Sequence, residues 1–230
     1  MIPHTAHNPH SQRRHHGFSL LEMMIVVAIM LIVASFAVPV YTTAMRTARL
    51  RGSEADYASL LQMGRSRAVN DDRYYSVYIQ AAAGNNPQMA YVDIYPQAVN
   101  GTSGTGPGGG YIAGPPADPM VALSAEAIPQ AEASAPNTGN LVTLFCGSCA
   151  AAIIKNTPPT WGPDGLPCAP TISAGGTGTV CNSAGGPIAY IAFFQSSTTQ
   201  EWDAVTISPA GRIKTWYYTP ATGVWNPFNQ

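Results

Sequence analysis

Charge is scarce in this chain: Asp, Glu, Lys and Arg make up 10% of 230 residues, and 11 basic against 12 acidic residues leave a net charge of -1. That balance excludes a strongly basic nucleic-acid binder by bulk electrostatics, though not a local basic site. Histidine is missing from most of the chain, since all five lie at positions 4, 7, 10, 15 and 16. The remainder therefore lacks the usual general base of an enzyme. No serine sits in a nucleophile elbow, and Gly106-Pro107-Gly108-Gly109-Gly110 has neither the lysine nor the following helix of a phosphate loop. These absences argue against catalysis and against a bound cofactor.

Cysteine is sparse and confined to the C-terminal half. Cys146-Gly147-Ser148-Cys149 is a C-x-x-C, which elsewhere marks a redox pair or half of a zinc site. Cys168 and Cys181 are not spaced as a second half, and no histidine lies near, so no metal is expected. Structural disulfides among the four fit better, with three pairings open, and imply export to an oxidising compartment. The 22 glycines and 20 prolines beside 46% hydrophobic residues point the same way, to a loop-rich, strand-containing exported protein.

What the chain does have is one long apolar run. Met23 to Val38 reads MMIVVAIMLIVASFAV without a charge, and the apolar character extends back through Leu21, Leu20 and Phe18. As a helix, residues 18–40 span roughly 34 Å at about 1.5 Å per residue, enough for a hydrocarbon core of about 30 Å. Arg13, Arg14, His15 and His16 precede the run and no long positive stretch follows it closely, which keeps the N-terminus cytoplasmic. Ser35-Phe36-Ala37 offers small residues for ordinary signal cleavage after Ala37. Glu22 opposes that reading, because a carboxylate in an apolar run costs about 2.5 to 3.5 kcal/mol at a helix centre, and a plain signal peptide has no use for it.

The stretch Gly17-Phe18-Ser19-Leu20-Leu21-Glu22-Met23-Met24-Ile25-Val26-Val27 resembles the class III signal of type IV pilins and type II secretion pseudopilins. The resemblance implies a leader of residues 1–17, cut after Gly17 by a prepilin peptidase. It also implies a mature terminus at an N-methylated Phe18, and Glu22 as the assembly glutamate that pairs with the Phe18 amine of the same or an adjacent subunit. Pro39 falls where pilins commonly carry a helix-kinking proline, and its missing N–H would loosen the rod locally.

Beyond it, Met45, Leu50, Tyr57, Leu60, Leu61, Gly64 and Ala68 recur at threes and fours. Arg46, Arg49, Arg51, Glu54, Asp56, Arg65 and Arg67 lie largely off that face. This predicts an amphipathic helix over 41–70 with a solvated charged side. Residues 71–230 read as a β-rich head with Gly/Pro-rich loops at about 97–140 and 155–187. Strands are expected at Tyr74–Gln80, Ala90–Tyr95, Leu141–Cys146, Ile188–Phe194, Trp202–Ile207, Ile213–Tyr218 and Val224–Phe228. Trp202, Trp216, Tyr217, Tyr218 and Trp225 read as core aromatics. The expected fold is α+β: a long N-terminal helix, transmembrane in its first half, packed by its second half on an antiparallel sheet.

Arg65-Ser66-Arg67-Ala68-Val69-Asn70 and Val205-Thr206-Ile207-Ser208-Pro209-Ala210-Gly211-Arg212-Ile213-Lys214 are similar to segments of the GspH/FimT group of minor pseudopilins and minor pilins. The resemblance implies a subunit that initiates or caps a type IV pilus or a type II secretion pseudopilus. Its partners would be other pilin or pseudopilin subunits, and its head would be periplasmic, anchored in the inner membrane. The alternative it implies is a minor pilin that binds DNA for uptake through a C-terminal basic hairpin, here Arg212 and Lys214. Lysine at the second position lacks arginine's bidentate fork.

Overall fold

The computed structural model describes residues 19–82, 87–94, 120–147, 153–155, 158–169 and 188–228. The chain forms two compact units, Met1–Thr42 and Thr43–Gln230.

Helix α1, Leu20–Asp71, begins in the first unit and includes Pro39 without ending there. Its N-terminal part is apolar on all sides and exposed on all sides. An 18-residue window has mean hydropathy 2.8 with none of it buried, so the helix is long and apolar enough to cross a membrane. Hydroxyls bond within the helix rather than outward: Ser35 donates to the Ile32 carbonyl at 2.7 Å and Thr42 to the Pro39 carbonyl at 2.9 Å.

The second unit holds the rest of α1 and all the strands. In chain order these are β1 (Tyr75–Gln80), β2 (Met89–Ile94), β3 (Met120–Ala122) and β4 (Ala127–Gln130), then helix α2 (Thr138–Cys146). There follow β5 (Ile153–Lys155), β6 (Thr160–Trp161), β7 (Pro167–Cys168), β8 (Ala189–Ser196), β9 (Trp202–Ile207), β10 (Ile213–Thr219) and β11 (Val224–Pro227). One antiparallel sheet runs β3-β2-β1-β6-β7. The other runs β11-β10-β9-β8-β4, antiparallel except where β5 pairs with β8 in parallel. The fold is α+β, one long helix packed on two sheets.

The spacing of apolar residues explains the helix packing. Leu50, Tyr57, Leu60, Leu61, Gly64 and Ala68 of α1 are all buried, and Met45, ahead of them, is exposed. They share a core with Val77 and Val92 of the first sheet and with Tyr190, Phe194, Val205 and Ile207 of the second. Strand alternation sends the intervening residues the other way. Ile191, Phe193, Trp202, Ala204, Trp216 and Trp225 form a second core, closed by Leu141 of α2. Of the five aromatics read as core, Trp202, Trp216 and Trp225 are buried, while Tyr217 and Tyr218 are half-buried.

Two expectations are corrected. Leu141–Cys146 is not a strand but most of α2, for a six-residue apolar run has no periodicity that separates strand from helix. The stretches read as loops at 97–140 and 155–187 contain β3, β4, β6 and β7, as well as the fully buried Trp161. These strands are too short to show alternation and are held by bonds from elsewhere. The buried Gln88 side chain donates to the Ala127 carbonyl, and the Ser124 N–H donates to Ser53 Oγ on α1 at 2.8 Å. Residues 97–110 and 170–187 lie outside the described residues.

Gly64 sets how closely α1 approaches the first sheet. A Cβ there would stand 3.1 Å from Val77, 3.5 Å from Trp161 and 3.6 Å from Val92, whereas one at Gly52 would meet nothing within 4 Å. Gly64→Leu should therefore destabilise the 43–230 unit by about 1 to 3 kcal/mol through overpacking. Gly52→Ala should stabilise it by up to about 1 kcal/mol through helix propensity. Urea unfolding of the two variants checks the opposite signs.

Candidate functional site

Gly17 and Phe18 lie outside the described residues, so the site at the N-terminus starts at Ser19. Ser19 precedes the first helical residue, and the Glu22 N–H donates to its Oγ at 3.2 Å. This is one half of a capping box, S-x-x-E, and places the Glu22 carboxylate in the first turn of α1, where the helix dipole favours a negative charge. Glu22 is exposed and flanked by exposed Leu20, Leu21, Met23 and Met24. A carboxylate held by the helix start inside an apolar surface is suited to a cationic partner brought by another chain. The capping role of Ser19 was legible as the S-x-x-E spacing and was missed beside the larger signal. Pro39 lies within the helix, and the boundary between the two compact units falls one turn later, after Thr42.

The C-terminal basic pair sits at the β9–β10 turn. Ser208 and Gly211 close it: the Gly211 N–H donates to the Ser208 carbonyl at 2.8 Å and the Ser208 N–H to the Arg212 carbonyl at 2.9 Å. Gly211 takes φ +75°, a left-handed conformation that glycine adopts without strain. Arg212 and Lys214 are both exposed on one face of the strand, and Ile213 between them packs against the core. Arg65, expected on the solvated side of α1, is brought to this turn instead. Its guanidinium donates to the Gly211 carbonyl at 3.0 Å and lies 5.7 Å from the Trp161 ring centroid. The Lys214 ammonium lies 5.8 Å from the Trp216 ring.

A third site was not foreseen. Glu54, expected among the solvated charges, is only 2% exposed. It accepts the Trp216 N–H of β10 at 3.2 Å and lines a cleft of about 510 Å³ with Arg51, Ala58, Gln62, Thr215 and Phe228. Asp203 on β9, also buried, leaves Oδ2 without a hydrogen-bond partner among the described residues. Burial pushes the Glu54 carboxyl up to about 9, reinforced by the charge of Asp203 and opposed by the Trp216 N–H and Arg51. Burial likewise raises Asp203 to about 7, with Arg51 opposing and Glu201 adding to the rise. Arg51 also stacks over Phe228 at 5.3 Å. No sequence signal distinguishes Glu54 from the acids beside it.

Cys146 and Cys168 each take part in a disulfide, and Cys149 and Cys181 lie outside the described residues. Among the described residues no group of three or more His, Cys, Asp or Glu is arranged to hold a metal ion.

Comparison with known families matches residues 12–38 to the prokaryotic N-terminal methylation motif, the type IV prepilin signal. The matched segment contains Gly17, Phe18 and Glu22 and most of the exposed apolar helix. The chain is thus pilin-like at its N-terminus and membrane-anchored through α1. Comparisons with curated proteins and with solved structures gave no match.

The two buried carboxylates fix the sign of a pH dependence. The unfolded chain loses these protons near 4.5 and 3.8, while the folded chain keeps them to about 9 and about 7. Between those limits the native state binds more protons than the unfolded state, so stability falls as pH rises, by up to about 1.4 kcal/mol per pH unit for each proton. Glu54→Gln keeps an oxygen for the Trp216 N–H and removes one titration. The variant should melt higher than the parent at pH 8, with a shallower decline from pH 5, as followed by circular dichroism.

Proposed function

We propose that the chain is a minor pilin or pseudopilin, a structural and non-catalytic subunit that helps initiate or cap a type IV pilus or a type II secretion pseudopilus. The observation that carries this reading is the methylation motif at residues 12–38 together with a helix from Leu20 whose apolar N-terminal part is exposed on every side. An apolar surface of that length needs lipid before assembly and other helices after it. In this reading a prepilin peptidase cuts after Gly17, and Phe18 becomes the methylated terminus. Glu22 then meets the Phe18 amine in a low-dielectric setting where opposite charges attract strongly. The head lies on the periplasmic side of the inner membrane and the leader in the cytoplasm.

DNA capture is the second reading, supported by the exposure of Arg212, just before β10, and of Lys214 within it. Arg65, the base brought against that turn, is engaged by the Gly211 carbonyl and Trp161. Two exposed cations give a small phosphate footprint, so double replacement by Gln should remove at most about two contacts' worth of salt dependence in a gel-shift with the head.

Two measurements test the structural reading. Intact mass of the membrane-extracted protein should give a chain beginning at Phe18 and carrying one methyl group; a start at Val38 would contradict it. Glu22→Ala should insert into the membrane at least as well as the parent, since an unfavourable carboxylate is gone, yet enter sheared filaments poorly. Wild-type incorporation of that variant would remove Glu22 from assembly.

A further inference from the structure

The cleft beside Glu54 has no part in the assembly of α1. Its volume of about 510 Å³ falls in the range of ligand pockets, about 300 to 1,000 Å³. One wall is α1 from Arg51 to Gln62, three helical turns and about 16 Å at about 1.5 Å per residue. The facing wall is Phe228, held in place because its N–H donates to the Thr215 carbonyl at 3.1 Å and its ring lies 4.9 Å from that of Tyr217. Ala55, small and exposed, leaves the space between the walls open.

Arg51 stands at one end of this wall with its donors unspent. Its guanidinium lies over the Phe228 ring at 5.3 Å and feels the charges of Glu54 and Asp203, yet it makes no hydrogen bond or ion pair among the described residues. A guanidinium stacked on a ring keeps its in-plane N–H groups for a bidentate acceptor. The lining selects which acceptor. No lysine and no second arginine line the cleft among the described residues, so a phosphate dianion would be left under-neutralised, whereas one planar carboxylate matches one fork. Glu54 does not repel such a group, because burial keeps its own carboxyl protonated to about 9, and Asp203 is not among the residues that line the cleft. Farther along the same wall, Ser59 and Gln62 offer both donors and acceptors, which is what a peptide backbone requires.

We propose that the cleft binds the C-terminal segment of another protein, extended along α1, with its terminal carboxylate on Arg51, its last side chain against Phe228 and the preceding backbone on Ser59 and Gln62. The length of the wall accommodates about five extended residues at about 3.3 Å each. A small free carboxylate would use only the arginine end, while a chain terminus uses the whole of it. Binding of this kind is independent of how α1 assembles and does not rest on the pilin reading.

Full-length protein in detergent is titrated with pooled N-acetylated pentapeptides ending in alanine, valine, leucine or phenylalanine, as free acids and as C-terminal amides, and binding is read by saturation-transfer NMR. The acids should bind about tenfold more tightly than the amides, as for one charge-assisted hydrogen-bonded pair. Arg51→Gln should abolish that preference, whereas a purely structural role for Arg51 would weaken acids and amides alike. Ala55→Leu, at an exposed helical position, should fill the cleft and weaken both pools. Arg49→Gln removes an exposed cation that does not line the cleft and should leave binding as in the parent. Circular dichroism checks that each variant is folded. Equal binding of acids and amides by the parent, no saturable binding of either pool, or a preference that survives Arg51→Gln would overturn the proposal. Phenylacetate is the third probe: affinity equal to that of the acids would assign the cleft to small carboxylates and reject the peptide.

Discussion

The C-terminal half of α1 is gripped by two sheets, and the grip has a different character on each side. Toward β1 and β2 it is contact without chemistry: Gly64 has no side chain, so Val77, Val92 and Trp161 close onto the helix backbone. Toward β9 and β10 it is polar, with Glu54 taking the Trp216 N–H inside the protein. The first fixes distance, because close-packed groups leave no room for adjustment. The second fixes rotation, because a buried carboxyl must keep its donor. Leu50, Tyr57, Leu60, Leu61 and Ala68 contribute apolar burial between these points and depend on both.

The polar side is costly to maintain. Two buried acids share one nearby arginine, and that arginine is also stacked on Phe228, so neither acid receives a full counter-charge. Keeping protons is the cheaper solution for groups that water cannot reach. The α1–sheet contact is consequently tightest in acid and under electrostatic stress at alkaline pH.

Legibility in the sequence followed periodicity. The buried face of α1 was visible because its apolar residues recur from Leu50 to Ala68, and β9 was found with its ends intact because Trp202 to Ile207 is a continuous run between turn residues. Strands β3, β4, β6 and β7 were invisible because two to four residues cannot display alternation, and their pairing is decided by Gln88, Ser53 and neighbouring backbone. Glu54 and Arg65 were assigned to solvent by residue type. Their burial comes from strands more than a hundred residues away, and no local window contains that information. At the N-terminus the opposite holds: the methylation motif over residues 12–38 is legible because it is read as a linear signal rather than as a folded surface.

Arg65 occupies a place that has consequences for how such a chain can change. Its guanidinium carbon stands 3.0 Å from where a Cβ on Gly211 would be, and its Nε stands 3.4 Å from the same point on Gly165, both glycines having positive φ. One side chain thus fills the space that two distant turns leave vacant, and it bonds to one of them. The three positions are coupled through the space they share. A side chain at Gly211 is admissible only after Arg65 has shortened, and a shortened Arg65 leaves the Gly211 carbonyl short of a donor and Trp161 without its cap. Sequence drift should therefore pass through these positions together or not at all, coupling the end of the helix to two loops that share no stretch of chain.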